Sequence, residues 1–213
     1  ALRARQLAQV REDRGVVVHN ALLTAVGVCA YSNHALFIYH WAGNEEAPTR
    51  YFAHLRNGDV AVHTRPEDVL HLFTLLPSRE HLFNEVLTVC EYEDVAASEL
   101  AEMTVTENSF VRARELVGKG DVEVGARLLV NEGASDVAAR AYVGTLANSP
   151  RISIFQTFRQ EGETAVKKGD FTVVQDDQHA WLIAAAASDN VNPSLLIKPT
   201  TRDEIETLSA ALL

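Results

Sequence analysis

Residues 26–41, VGVCAYSNHALFIYHW, and residues 143–158, VGTLANSPRISIFQTF, are two versions of one stretch. They align without a gap at an offset of 117, and Val26, Gly27, Ala30 and Ser32 recur as Val143, Gly144, Ala147 and Ser149. Each reads as a helix end, a turn, and a strand that finishes on an aromatic, Trp41 or Phe158. Both alternating sets of Ala35–Trp41 are apolar, Leu36 and Ile38 on one side, Phe37, Tyr39 and Trp41 on the other. That is the pattern of a central strand buried on both faces. Similarity at a fixed distance marks an internal repeat.

Outward from the first copy, His19-Asn20 caps a helix over Ala21–Ala30. After Trp41, a polar loop at Ala42–Thr49 leads to a strand at Arg50–Arg56. Asn57-Gly58 signals a two-residue hairpin, because both central positions of a type I′ turn need positive φ. The strand returns over Asp59–His63. Thr64, with Glu67 as its capping-box partner and Pro66 in the first turn, predicts a helix to Leu76 that Pro77 stops. Outward from the second copy, Ser135 or Asp136 caps a helix at Val137–Ala147. Strands at Ile152–Phe158, Asp170–Gln175, Ala180–Ala187 and Leu195–Lys198 follow, and Thr200 or Thr201 caps a closing helix over Asp203–Leu213. A second offset, 136, matches Thr64, Val69, Leu72 and Leu76 to Thr200, Ile205, Leu208 and Leu212. Each unit thus reads as helix, antiparallel strands, helix, with an extra hairpin in the second copy.

A short amphipathic helix is expected at Ala1–Gln9, a helix at Val122–Asn131, and a strand at Val86–Tyr92. One such unit cannot cover both faces of its sheet, so two copies joined in a single sheet about a pseudo-twofold axis are the economical solution. The reading is a single α+β domain over residues 1–213: a first pseudo-repeat at 19–77, a mainly helical middle at 78–134 and a second pseudo-repeat at 135–213.

Hydrophobic residues make up 47% of the chain, enough for a sizeable core. No apolar run reaches the length needed to cross a bilayer, and Ala1–Val10 lacks the apolar segment of a signal peptide. A net charge of −10 and the absence of a basic stripe with interleaved aromatics argue against nucleic acid as a partner. The two cysteines, Cys29 and Cys90, lie in apolar runs and read as reduced core thiols.

Seven of the eight histidines precede residue 82: His19, His34, His40, His54, His63, His71 and His81. Pairing across Asn57-Gly58 sets His54 opposite Ala61 and His63 diagonal to it, with His40 able to join from the next strand. No His-x-His, no His-Glu-x-x-His and no carboxylate at ligand spacing accompanies them, so no metal site is expected. The chain also lacks a nucleophile elbow, a Walker loop and a dinucleotide glycine pattern. The carboxylate pairs Glu45-Glu46 and Asp176-Asp177 fall in turns that face water. No catalytic residue and no cofactor are expected. The alternative is a small metal-dependent enzyme or regulator built on the histidine-bearing hairpin.

The order of these residues resembles the EspG family, cytosolic chaperones of type VII (ESX) secretion in actinobacteria. The resemblance runs through ALRARQLAQ, RGVVVHNALLTAVG, NGDVAV, the LLP stop and the C-terminal IKPTTRDEIETLSAALL. The alanine-rich WLIAAAA stands where the family has arginine-rich strands. The resemblance implies a quasi-twofold sheet with helical bundles that binds the helical tip of a PE–PPE heterodimer, keeps it soluble and directs it to its secretion system. It implies a cytoplasmic location and no membrane insertion. By position it assigns partner binding to the loop Trp41–Thr49, with Trp41, Gly43, Asn44, Glu45 and Glu46 as candidate contacts. Gly43, Asn44 and Pro48 break regular structure there and the two glutamates keep the segment wet, so the loop is expected to be poorly ordered in the free protein.

Overall fold

The computed structural model describes residues 8–10, 16–67, 70–95, 99–186 and 193–211. A small ladder joins β1 (Ala8–Val10) to β2 (Val16–Val18), so Ala8 and Gln9 are strand rather than the end of a helix. Ala8, Gln9 and Val10 lie opposite Val18, Val17 and Val16. The rest of the expected first helix lies outside the described residues. Helix α1 (Asn20–Ala30) follows, with His19 as its cap accepting from the Ala21 amide.

The first half then contributes β3 (His34–Trp41), β4 (Thr49–Arg56), β5 (Asp59–Glu67) and β6 (Leu70–Leu76) before α2 (Arg79–Val89). Asn57 and Gly58 have φ of 50° and 96°, as a type I′ turn requires. The helix expected from Thr64 to Leu76 does not form. Thr64 pairs with Tyr51 on one side and Leu72 on the other, and β6 occupies Leu70–Leu76. Pro66 is accommodated because the register shifts between Thr64 and Glu67, an irregularity that suits a residue with no N–H to donate. LHLFTLL is apolar at helical and at strand spacing alike, and the ladder to β5 decides it. Ser78, not Thr64, caps the next helix by accepting from His81 N at 3.4 Å. The strand expected at Val86–Tyr92 is instead the end of α2 and the turn after it.

Strand β7 (Met103–Thr106), α3 (Glu107–Gly118), α4 (Val122–Asn131) and α5 (Asp136–Ala147) lead into the second half. There β8 (Arg151–Glu161), β9 (Thr164–Gln175), β10 (Ala180–Ala185) and β11 (Ser194–Pro199) are followed by α6 (Arg202–Ala211). Both halves therefore run helix, four strands, helix, without the extra hairpin. The offset of 136 fails because it lays α6 over β6. By element order α2 is the counterpart of α6, and a boundary at Pro77 leaves it in the middle segment.

The main sheet has nine strands in the order β6-β5-β4-β3-β8-β9-β10-β11-β7, and every pair is antiparallel. At its centre β3 pairs with β8, and Ile38 lies opposite Phe155. The offset of 117 carries Ile38 onto Phe155 itself, as a twofold axis through that pair demands.

Alternation along the strands feeds two cores. Leu36, Ile38, Phe155, Phe171, Val173 and Leu182 point to one face and pack with Leu82, Val86 and Ile205 of α2 and α6. Their chain neighbours Val174, Trp181 and Ile183 point to the other, where Ala113, Leu129 and Tyr142 of α3, α4 and α5 cover them. Helix α1 lies against β4, β5 and β6. Between α1 and the three-helix layer an aromatic row crosses five strands: Phe73, His63, Phe52, Phe37 and Phe158, with successive centroids 4.8, 5.8, 4.8 and 4.9 Å apart.

Trp181 is fully buried, and its indole N–H donates to Thr145 Oγ1 at 3.2 Å. Trp181→Ala is expected to cost about 3–5 kcal/mol in urea denaturation, through lost contacts and the cavity left behind. Thr145→Val keeps the shape but strands the indole N–H, and is expected to cost about 1–3 kcal/mol in the same assay.

Candidate docking cavity

Strand β3 ends on Trp41, which pairs with Ile152 of β8. The chain then turns sharply. Gly43 has φ +57°, and a Cβ there would stand 3.6 Å from the Ser149 carbonyl oxygen, so the loop approaches the turn between α5 and β8 closely. Asn44 Nδ2 donates to Ser149 Oγ at 3.1 Å. Glu45 folds back, its carboxylate accepting from Ala42 N at 3.4 Å and its amide donating to the Ala42 carbonyl at 3.3 Å. The first half of the Ala42–Thr49 loop is thus tied both to itself and to the second half of the molecule.

This bracing closes one end of a cavity of about 470 Å³ between the sheet and the helical layer. Strand residues such as Ile154, Val174 and Ile183 line it from the sheet, Phe110 and Arg114 from α3, and Tyr142 and Leu146 from α5. Of the five candidate contact residues, Trp41, Gly43 and Glu45 line this cavity. Asn44 braces the loop, and Glu46 lines a second depression of about 680 Å³ with Pro48, Arg50, Arg65 and Pro66. Trp41 is half-buried, as is Phe158 at the matching place in the repeat.

The cavity wall is mostly apolar. Its charges are Arg114, Asp170 and Glu45. Asp170 is held by Lys167 at 2.8 Å, and the Arg114 guanidinium stacks over Phe110 at 5.7 Å. Phe110, Arg114, Tyr142 and Leu146 are functional candidates that the sequence reading passed over. Their four-residue spacing on α3 and α5 was visible; that the two helix faces meet over one stretch of sheet was not.

The histidines and the other polar groups singled out in the sequence lie elsewhere. The hairpin sets His54 opposite Ala61 as expected, and His63 Nε2 lies 2.8 Å from His71 Nδ1. His40 cannot join them. It sits among the even-numbered residues of β3 that face α2 and α6, buried, with Nδ1 2.9 Å from Ser153 Oγ. Among the described residues no three metal-ligating side chains gather. The His40–Ser153 pair borders a void of only about 10 Å³ lined by Ser153 and Cys90, too small for a substrate. Burial pushes the Cys90 thiol up to about 12, which keeps it protonated and unreactive. Asp176 accepts from the Gln178 and His179 amides at 2.9 and 2.7 Å, so it shapes its own turn.

Burial lowers the His54 pKa to about 4, and the neighbouring His63 adds to the effect. Burial lowers His40 and His63 as well. These imidazoles stay neutral in the folded chain where the unfolded chain binds protons, so stability is full above about pH 6.5 and falls as pH drops toward 4. Urea midpoints measured across that window should decline, and His54→Gln should flatten part of the slope.

No known family model matches the chain, and no curated protein does. Solved structures do match. One is the Mycobacterium tuberculosis type VII secretion system chaperone EspG5, solved in complex with a PE25–PPE41 dimer. The TM-score is 0.73 at 12% sequence identity, over 100% of this chain and 83% of that one. Among the described residues no helix is long and apolar enough to cross a membrane. The chain has the α+β fold of EspG5, its central antiparallel sheet included.

Proposed function

We propose that this chain is a chaperone of type VII secretion that binds the helical tip of a PE–PPE-type heterodimer in the cytoplasm, keeps it soluble and directs it to its secretion system. The observation that carries the reading is the apolar cavity at the β3–β4 loop, on a fold shared with a chaperone solved with such a dimer. The chemistry is binding alone and needs no cofactor.

A helical tip offers apolar side chains on a compact end, and an apolar recess bounded by an aromatic is the surface that buries them. Trp41 is the anchor in this reading. A half-buried tryptophan at a strand end supplies contact area without having to move. Glu45 and Glu46 act at the rim, where charge changes the rate of encounter more than final affinity.

Co-expression with PE–PPE-type pairs from the same genome, followed by gel filtration, should give a stable ternary complex. If none of the pairs co-migrates, the function is wrong. Trp41→Ala should weaken a verified complex by about 2 kcal/mol or more, some thirtyfold, by titration calorimetry. Glu45→Lys with Glu46→Lys should slow association with a basic tip. Replacing Ala42–Thr49 by a Gly-Ser linker should abolish tight binding; unchanged affinity would move the contact to the helices.

A further inference from the structure

The docking cavity has a twin. Shifting its residues Leu146, Ile152 and Ile154 back by the repeat offset of 117 gives Cys29, Ala35 and Phe37. Shifting Trp41, Gly43 and Glu45 forward by 117 gives Phe158, Gln160 and Gly162. All of these counterparts line one depression of about 530 Å³ at the other end of the β3–β8 ladder. Strand register adds one more pair: His54 lies opposite Ala35 in the depression as Val174 lies opposite Ile152 in the cavity.

The twin repeats the shape of the cavity with a different chemistry. Arg114, Asp170 and Glu45 put charge on the docking cavity, whereas among the described residues no charged side chain lines the twin. Burial lowers His54 to about 4 and pushes the Cys29 thiol up to about 11, so both stay neutral near pH 7. The guanidinium of Arg56 stands at the rim, 5.2 Å over the Tyr31 ring. In a chain of net charge −10, an uncharged recess walled by Phe37 and Phe158 suits apolar side chains.

The two recesses are also joined. Helix α1 packs on β4, β5 and β6 and helix α5 on β9, and the strip of β3 and β8 between them leaves Phe37, Tyr39 and Ile154 half-buried. Tyr39 lies opposite Ile154, which lines the cavity, and Phe37, two residues along, lines the twin. From Trp41 to Ala35 the strand covers about 20 Å, the length of about 13 residues of helix. A groove with an apolar recess at each end is a surface that a helix fills with anchors along one face.

We propose that the twin depression is a second anchoring point for the partner whose tip enters the docking cavity, taking apolar side chains of the same helical dimer against Phe37 and Phe158. The inference rests on the chaperone reading. It makes recognition bipartite: a partner is selected by the spacing between its tip and a second apolar cluster, as well as by the tip itself.

The test uses the PE–PPE-type pair recovered by co-expression. Ala165, which is exposed, and Ser32, which is half-buried, both line the depression. Ala165→Trp fills it and Ser32→Arg puts a charge in it. Each variant should melt as the unchanged chain does and bind the pair about tenfold more weakly by titration calorimetry. Alkylation of Cys29 by N-ethylmaleimide, read by mass spectrometry, should slow several-fold once the pair is bound. Unchanged affinity in a variant that keeps its melting temperature, or Cys29 alkylated as fast in the complex as in the free chain, overturns the inference. With Trp41→Ala still impaired, the chaperone reading then stands. A free chain that runs as a dimer on gel filtration, and as a monomer with Ala165→Trp, overturns it too, by assigning the depression to a second copy. If the unchanged chain binds no pair, the functional reading falls and this inference falls with it.

Discussion

Everything in this molecule hangs on the ladder between β3 and β8. Its register runs from His34 opposite Arg159 to Trp41 opposite Ile152, with the almost fully buried Ile38 and Phe155 near its middle. A slip of one residue would turn Ile38 toward the aromatic row and Phe37 into the α2–α6 core. It would also pull Trp41 away from Ile152, and with it the loop that reaches Ser149. Leu36 and Ile38 fix the register by being fully buried.

The sheet is nearly symmetric about that ladder, and its dressing is not. Four strands lie on each side, with β7 added at the far edge. On the face shared by α2 and α6 the helices repeat. On the opposite face the first half carries α1, and the second carries α3 and α4 as well as α5. Helix α3 brings Phe110 and Arg114 over the sheet on one side of the axis, where they wall the cavity of about 470 Å³. The matching region of the first half carries a depression of about 530 Å³, lined by Cys29, Phe37, His54 and Phe158, beside the half-buried aromatic row.

The fold's centre was legible in the sequence because local and global signals agree there. Asn57-Gly58 demands one turn geometry, and the repeated helix–turn–strand stretch places the axis. Residues 64–76 were misread because their local signals disagree with the tertiary ones. Thr64, Pro66 and Glu67 imitate a helix start, and LHLFTLL fits either period. A long-range partner, β5, settles the matter, and no window of sequence contains it. The cavity was half legible. Trp41, Gly43 and Glu45 lie in the loop that the family resemblance assigned to partner binding, whereas the placing of Phe110, Arg114 and Tyr142 depends on how two helices cross one sheet.

The central ladder joins residues far apart in the chain, and that has a kinetic consequence. Hairpins β3–β4 and β5–β6 close over short loops and can form early. The partner of β3 is not complete until residue 161 has been made. During synthesis β3 is therefore an open edge bearing Phe37, Tyr39 and Trp41, the kind of strand that recruits other chains. The strand that ends up best protected in the finished protein is the one most exposed while the ribosome is still at work.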